Sequence, residues 1–330
     1  MSSHHIKEVP MSNRLIRLLL ITLLSTWMAS AAAQSWPSRP ITLVAPSSPG
    51  STPDTVARIL AQKLGEQLGQ PVVVQNRAGA SGNIGSELVA NAPPDGYTLL
   101  LGSITNTVNP HMTKGLRFTL DDLAPVSSVA AAPDILTVNP AVPVSNVQEL
   151  IGWLRSKPGT AVAIPGFGST PHLSAVILQS MTGIKLNIVP YSGGGAVLQG
   201  LLGNQVPGAF VTSLAVIPQL RANQLRGLGV TSAKRLASMP ELPTLAEQGL
   251  PGFDVIAWFG VFAPAKTPKA IIDRLSDETR KALASAEVRK RLNDLGADSL
   301  GSSPEDFGTF VKAEYSRWGK VVTENGIKAE

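Results

Sequence analysis

Residues 41–53 read ITLVAPSSPGSTP, and residues 161–171 read AVAIPGFGSTP. In each segment a short apolar run leads into the tetrapeptide Gly-Ser-Thr-Pro, and an amphipathic pattern with helical spacing comes after it. Both copies are therefore predicted at turns from a strand into a helix. Unpaired backbone N–H groups at the start of a helix, together with the helix dipole, attract anions. Two such turns, one in each half of the chain, predict a clamp around an anionic ligand.

The tetrapeptides also predict how each helix begins. In each copy the threonine, Thr52 or Thr170, is a suitable N-cap residue, and the proline after it suits the first helical position. The hydroxyl groups of these threonines, and of Ser51 and Ser169 before them, are expected to add hydrogen bonds to a carboxylate. The alternative is purely structural, because Ser/Thr-Pro is a common helix start, and the sequence leaves both interpretations open.

The first 33 residues predict a cleavable secretory signal peptide. Arg14 and Arg17 precede an apolar stretch over residues 18–28, and three alanines at 31–33 offer a small-residue cleavage site. A membrane anchor is the alternative, but the apolar stretch is shorter than the roughly 20 residues that a spanning helix needs. We therefore expect export to the periplasm and no stable membrane insertion after cleavage.

Composition narrows the classes of protein. The 330 residues carry a formal net charge of +5 and no cysteine, which excludes a disulfide framework and thiolate-based sites. Lysine and arginine are spread along the chain, without the basic run of a nucleic-acid-binding protein, so no nucleic-acid partner is expected. The sequence contains no H-E-x-x-H, calcium-loop, Walker or G-x-S-x-G motif. No catalytic residue, metal ligand or cofactor is therefore predicted, and we do not expect an enzyme.

Apolar runs typical of strands alternate with helical patterns along the chain, which predicts an α/β fold with mostly parallel sheets. After the signal peptide we predict a first domain over residues 34–135 and a second over residues 136–255. Residues 256–330, with the C-terminal helices, are expected to return to the first domain. The two crossings, near residues 135 and 256, would form a two-strand hinge. Ligands of open α/β sheets bind beyond the carboxyl ends of strands, so the cleft is expected between the domains.

Two glycine-rich loops and one histidine are further candidates for this cleft. Residues 79–85 spell G-x-x-G-x-x-G, which is not the dinucleotide fingerprint, and Asn83 within them is a candidate ligand contact. In the loop over residues 190–195, Gly193 and its neighbours would let backbone N–H groups approach a ligand, although a flexible loop explains this composition equally well. His172, in the first helical turn, could donate to an anion or simply cap and pack.

Further segments, in order along the chain, match a known pattern. They include WPSRPI at residues 36–41, GQPVVV at 69–74, PDGYTLL at 94–100, VTSAKR at 230–235 and LPGF at 250–253. With this ordered set, the chain resembles the extracytoplasmic solute receptors of tripartite tricarboxylate transporters, also called Bug receptors, over nearly its whole mature length.

The resemblance implies two α/β domains that close by a hinge around a solute, which a membrane permease then receives. Ligands in the family are di- and tricarboxylates, acidic amino acids and aromatic acids, and the turns matching residues 47–52 and 166–172 typically hold a carboxylate, partly through water. The predicted ligand-binding residues are Ser47, Ser48, Gly50, Ser51, Thr52, Asn83, Gly166, Gly168, Ser169, Thr170, His172, Tyr191, Gly193 and Val211.

Three departures from the family pattern concern the ligand. Ser47 stands where the family usually has phenylalanine, Val211 stands where many members have aspartate, and the loop over residues 103–110 is one residue shorter. Because the side chain of Val211 cannot pair with an ammonium group, we predict that the ligand is not an acidic amino acid.

The sequence leaves the use of the bound ligand open. The leading interpretation is a periplasmic binding protein that delivers a carboxylate to a permease. The alternative is a receptor whose closed, liganded state feeds a two-component signalling system. A periplasmic hydrolase is disfavoured because its nucleophile motif is missing.

Overall fold

The computed structural model describes residues 36–328, and the chain from Arg39 onward forms one compact unit. The predicted signal peptide, residues 1–33, lies outside the described residues. Within the described part, no helix is long and apolar enough to cross a membrane. The compact unit consists of two lobes, each built on its own part of a ten-stranded sheet.

The first lobe begins with alternating strands and helices. These are β1 (Ile41–Ala45), α1 (Thr52–Leu68), β2 (Val72–Asn76), α2 (Asn83–Ala90), β3 (Thr98–Ser103) and α3 (Thr105–Met112). Strand β1 lies between β2 and β3 and pairs in parallel with both. The loop from β1 to α1 therefore leaves the sheet at the carboxyl end of a central strand.

Helix α1 follows directly from its sequence. Its apolar residues recur at helical spacing and are buried; they are Val56, Ile59, Leu60, Leu64 and Leu68. Gly69 ends the helix with φ at 66°, a left-handed conformation that glycine adopts without steric cost. The buried stripe packs α1 against β1 and β2, so the amino end of the helix stays beside the end of β1.

Strand β4 (Leu123–Val138) runs through both lobes. Its residues up to Pro133 pair antiparallel with strand β9 (Ile256–Pro264) of the first lobe. From Asp134 onward the same strand pairs antiparallel with β7 (Gly208–Thr212) and β8 (Arg226–Val230) of the second lobe. The chain therefore passes from one sheet into the other between Pro133 and Asp134, inside a continuous strand.

The second lobe repeats the arrangement of the first. Its elements are α4 (Val147–Arg155), β5 (Thr160–Ile164), α5 (Thr170–Thr182), β6 (Leu186–Pro190), α6 (Gly194–Leu202), β7 (Gly208–Thr212), α7 (Ser213–Arg221) and β8 (Arg226–Val230). Strand β5 lies between β6 and β7 and pairs in parallel with both. The second Gly-Ser-Thr-Pro turn thus follows a central parallel strand, as the first one does.

The chain returns to the first lobe through β9, which lies between β3 and β4. The remaining elements are β9 (Ile256–Pro264), α8 (Lys269–Ala284), α9 (Ala286–Asp294), β10 (Asp298–Ser299) and α10 (Pro304–Glu324). Buried Glu314 of α10 accepts hydrogen bonds from the indole Nε1 of Trp258, at 3.1 Å, and of Trp318, at 2.8 Å. The bond from Trp258, on β9, holds α10 against the sheet of the first lobe, whereas the bond from Trp318 lies within α10.

The structure corrects the sequence predictions at the starts of two helices. Ser51 and Ser169, not Thr52 and Thr170, are the N-cap residues, because the extended conformation before each helix falls on the serine. Each helix therefore begins at its threonine, one residue before the proline.

One stretch treated as a loop in the sequence is mostly a regular element. Most of residues 103–110, treated as a loop, belong to α3. The side chain of Asn106 explains how this polar helix is stabilised: it accepts from the Ser103 N–H at 2.9 Å and donates to Ser86 Oγ at 2.8 Å.

Gly260 of β9 allows helix α10 to approach the sheet. A Cβ added there would overlap the ring of buried Phe307. Gly260→Ala is therefore expected to lower the free energy of unfolding by about 1–3 kcal/mol, the usual cost of overpacking. Gly152→Ala in α4 is the matched control, since nothing lies within 4 Å of its added Cβ and alanine favours a helix by about 1 kcal/mol. Urea denaturation measures the free energy of unfolding of both variants. An unchanged value for Gly260→Ala would contradict this packing.

Candidate ligand-binding site

A cavity of about 580 Å³ lies between the two lobes, at the carboxyl ends of β1 and β5. Both Gly-Ser-Thr-Pro turns contribute residues to its wall, as do the loops over residues 78–82 and 190–194. Its volume is in the range of about 300–1,000 Å³ that is usual for small-molecule sites.

The first turn is held by a carboxylate behind the cavity wall. Gly50 has φ at 76°, and its N–H donates to Asp54 Oδ2 at 2.9 Å. Asp54 also accepts from Arg58 Nε at 3.0 Å and from Asn76 Nδ2 at 2.9 Å. Burial raises the pKa of Asp54, but the hydrogen bonds from Arg58, Gly50 and Asn76 outweigh it and hold the pKa below its usual value. Asp54 is thus an ionised anchor of the turn.

The second turn is held by a histidine at the equivalent position. Gly168 has φ at 75°, and its N–H donates to His172 Nδ1 at 3.1 Å. Ser169 Oγ donates to the carbonyl of Gly166 at 2.6 Å and accepts from the His172 N–H at 3.4 Å. The ring of Phe167 meets the imidazole edge to face, with 5.2 Å between the ring centroids.

The two turns therefore share one construction. In each, the glycine is left-handed and its N–H is accepted by the side chain four residues further on. The threonine N–H groups are different: within residues 36–328, no protein atom accepts the N–H of Thr52 or of Thr170. Both threonines are buried and line the cavity. Two unpaired N–H donors at the positive ends of helices are suited to an anion.

The rest of the described wall is mostly apolar and carries no charge. Among the described residues that line the cavity, none carries a formal charge. Aromatic surface comes from Phe167, Tyr191, Phe210 and Phe259, and aliphatic surface includes Val211. Affinity for an anion must therefore come from backbone dipoles and hydroxyl groups rather than from an ion pair.

The structure brings most of the predicted site residues together. Those that line the cavity are Ser47, Ser48, Ser51, Thr52, Gly166, Ser169, Thr170, Tyr191, Gly193 and Val211. Four predicted residues, Gly50, Asn83, Gly168 and His172, do not line it. The glycines and His172 form the hydrogen bonds behind the turns. Asn83 accepts from Asn109 Nδ2 at 2.9 Å and is buried.

His172 is packed behind the second turn and does not line the cavity. Only 4% of its surface is exposed, and burial lowers the pKa of the imidazole to about 4. The side chain is therefore neutral near pH 7, with its Nδ1 occupied as an acceptor for Gly168. Of the two interpretations that the sequence left open for His172, its contacts agree with the structural one.

Sequence reasoning missed Asp134, which lies directly behind the cavity. Its carboxyl group is fully buried and accepts from Thr170 Oγ1 at 3.2 Å, Thr212 Oγ1 at 3.0 Å and Ser174 Oγ at 3.2 Å. Thr170 and Thr212 both line the cavity. Burial raises the pKa of Asp134 to about 7, and the three hydroxyl groups oppose that rise. An acidic residue inside the apolar stretch AAPDILTV was the available signal.

Two lobes that share a strand, with a cavity at the carboxyl ends of parallel strands, define a periplasmic-binding-protein fold. Comparison with known proteins identifies the group within this class. The model of the tripartite tricarboxylate transporter family receptor matches residues 56–327. Protein BugT of Bordetella pertussis is 38% identical over 304 residues, which is 91% of this chain and 93% of BugT. The chain belongs to this family of solute-binding receptors.

Solved structures agree with this assignment. R. palustris Rpa4515 with adipate has a TM-score of 0.86 at 37% identity, over 89% of this chain and 99% of that chain. The periplasmic binding protein BugD has a TM-score of 0.85 at 32% identity, over 89% and 99%. MatC (Rpa3494) from Rhodopseudomonas palustris with bound malate has a TM-score of 0.82 at 33% identity, over 87% and 100%. The α/β fold and its two-domain arrangement are those of these receptors.

Asp134 and His172 predict opposite effects of pH on stability. Unfolded Asp134 ionises near 3.8 and the native group near 7, so the native state holds an extra proton and stability falls as pH rises between these values. Unfolded His172 is protonated below about 6.5 and the native ring only below about 4, so its contribution rises with pH in that window. At about 1.4 kcal/mol per pKa unit, the contribution to the free energy of unfolding reaches about 4 kcal/mol for Asp134 and about 3 kcal/mol for His172.

Single variants separate these contributions. Asp134→Asn is expected to remove the contribution that decreases with pH. The variant therefore gains stability relative to the native protein as pH rises from 4 to 7. His172→Asn, which keeps an acceptor near Gly168, is expected to show the reverse between pH 4 and 6.5. Urea denaturation at pH 4.5, 6 and 7.5 gives the slopes. An Asp134→Asn protein with the native slope would show that this carboxyl group titrates normally.

Proposed function

We propose that this protein is a periplasmic receptor that binds a small carboxylate between its lobes and delivers it to the membrane permease of a tripartite transporter. The observation that carries the proposal is the pair of buried, unpaired N–H groups at Thr52 and Thr170, one from each lobe. Both belong to the same neutral cavity. The relatives whose structures contain adipate and malate support a carboxylate as the ligand class.

The first turn supplies a second kind of donor. The hydroxyl group of Thr52 makes no hydrogen bond with the described part of the protein, whereas that of Ser51 donates to Ser47 Oγ at 2.7 Å. The Thr52 hydroxyl and N–H together would therefore hold one carboxylate end. Binding through neutral donors would also let the ligand leave without the separation of an ion pair, which suits a delivery protein.

Closure of the lobes is the proposed mechanism of capture. The domains would comprise residues 34–135 with 256–330, and residues 136–255, and would rotate about the crossings beside Asp134 and Ile256. Across the cleft, Gly166 lies next to Ser81, and Gly193 lies next to Ser48. Such contacts between lobes would form when the ligand is enclosed.

Export and delivery complete the proposal. Residues 1–33 would be removed as a signal peptide, and the released chain would act in the periplasm, where a permease is its membrane partner. The absence of a catalytic motif in the sequence supports binding without chemical turnover. Turnover of a bound ester by the purified protein would contradict this part of the proposal.

The neutral wall around Val211 predicts which carboxylates bind. A dicarboxylate such as adipate or malate is expected to raise the melting temperature, because it binds only the native state. Aspartate and glutamate are expected to leave the melting temperature unchanged, since no carboxylate of the described residues lines the wall to pair directly with their ammonium groups. Thermal-shift measurements with 1 mM of each acid test this. A shift with aspartate as large as that with malate would refute the predicted selectivity.

Thr52→Val tests the clamp at the first turn. The change keeps the size of the side chain and removes a hydroxyl donor to the carboxylate; a hydrogen bond to a charged group contributes about 1.5–3 kcal/mol, so affinity is expected to fall by about 10-fold or more. Thr55→Val is the matched control, because Thr55 Oγ1 donates to the carbonyl of Ser51 and does not line the cavity. Calorimetry with adipate and with malate measures the affinity of each variant. Equal affinities in both variants would exclude the hydroxyl group of Thr52 as a ligand contact.

A further inference from the structure

We propose that Asp134 sets the hydrogen-bond polarity of the cavity wall at Thr170 and Thr212, so that this part of the site selects a ligand bearing a hydroxyl group as well as a carboxylate. The inference deepens the proposed function and rests on it. It concerns a part of the ligand that the two N–H groups alone do not specify.

The hydrogen bonds around Asp134 have a fixed direction while its carboxyl group is ionised. A threonine hydroxyl has one proton and two lone pairs, and an ionised carboxylate can only accept. Thr170 and Thr212 both donate their proton to Asp134 Oδ1, at 3.2 and 3.0 Å. A ligand group that reaches either hydroxyl therefore meets a lone pair and must itself be a donor.

The two copies of the tetrapeptide consequently differ in chemistry. The hydroxyl group of Thr52 has no protein acceptor within the described chain and can donate to an anion, whereas that of Thr170 is already committed to Asp134. Thr170 offers the cavity a donor, its N–H, and an acceptor, its Oγ1. This combination fits an alcohol, which donates one hydrogen bond and accepts others. It fits a second carboxylate poorly, because two acceptors would face each other.

Within residues 36–328, no other ionisable group offsets the charge of Asp134. Helix α5, strand β7 and Thr231 after β8 contact it, and α5 contributes only His172, which is neutral because burial lowers its pKa to about 4. Strand β7 has no titratable residue. Arg226 begins β8, pairs in register with Val138, and donates to the carbonyl of Val144 at 2.6 Å. The negative charge behind Thr170 and Thr212 therefore disfavours a second anion at this place.

Protonation of Asp134 would reverse part of this polarity. A protonated carboxyl group donates one hydrogen bond, so it can donate to one hydroxyl and release that hydroxyl's proton toward the cavity. The preference for a hydroxyl group therefore belongs to the ionised state. Burial raises the pKa of Asp134 to about 7, which sets the pH range of the change. The preference should be strong at pH 8 and weak at pH 6.

The test uses matched acids that differ by one hydroxyl group: hexanoate and 6-hydroxyhexanoate, and benzoate and 4-hydroxybenzoate, with adipate as a dicarboxylate. Calorimetry at pH 8 is expected to show that the native protein binds the hydroxy acid of at least one pair about 10-fold more tightly than its partner. Adipate should gain affinity relative to that hydroxy acid when the pH is lowered to 6.

Two variants assign the preference to Asp134. Asp134→Asn, whose amide can donate to a threonine hydroxyl, is expected to reduce the ratio within the pair to about 2-fold or less and to make it independent of pH between 6 and 8. Thr212→Val removes one acceptor and should weaken the binding of the hydroxy acid but not that of its partner. Thr55→Val should leave the affinity ratio within each pair of acids as it is in the native protein.

The outcomes separate the inference from the proposed function. Binding of these acids without preference for a hydroxyl group, or an unchanged ratio in both Asp134→Asn and Thr212→Val, would overturn the role of Asp134 while leaving a carboxylate receptor intact. Failure of the native protein to bind any carboxylate, including adipate and malate, would overturn the proposed function and this inference with it.

Discussion

One hydroxyl group joins the two places where the chain passes between the lobes. Thr231 Oγ1 accepts from the Asp134 N–H at 2.9 Å and donates to the carbonyl of Val255 at 2.6 Å. Thr231 is fully buried, and its own carbonyl accepts from the Val255 N–H at 3.0 Å. Both crossings are thus fixed to one point beside the cavity, because Asp134 is the first residue of β4 in the second sheet and pairs with Thr212. The proposed hinge, the cavity and the buried carboxyl group share this small region.

The sequence predicted the parts of the fold that depend on local patterns. The apolar stripe from Val56 to Leu68 and the closing Gly69 define α1 almost by themselves, and both Gly-Ser-Thr-Pro turns lie at the cavity. Helix α3 was not predictable in the same way, since buried Asn106 is satisfied by groups on β3 and α2 that only the folded chain brings near. Local sequence shows where a polar residue is, but not whether tertiary structure supplies its partners.

The same limit explains what the sequence could and could not predict of the site. Gly50, Gly168 and His172 were expected at the ligand because they belong to the turns, yet their polar groups serve the hydrogen bonds that shape those turns. Asp134 is far along the chain from Thr170 and Thr212, so no spacing argument connects them. Val211 was recognised as a missing acidic group in the wall. The acidic group that the structure has instead lies behind the wall and acts, as proposed, through the threonines.

The two left-handed glycines illustrate how identical tetrapeptides come under unequal evolutionary constraint. Gly50 has open space where a Cβ would stand, so only its backbone angle restricts replacement, and asparagine tolerates that angle better than most residues. At Gly168 a Cβ would overlap the side-chain oxygen of Asn109, which belongs to the other lobe. Replacement of the glycine is therefore less restricted in the first copy than in the second. Among diverging descendants of this chain, the first tetrapeptide should lose its glycine sooner.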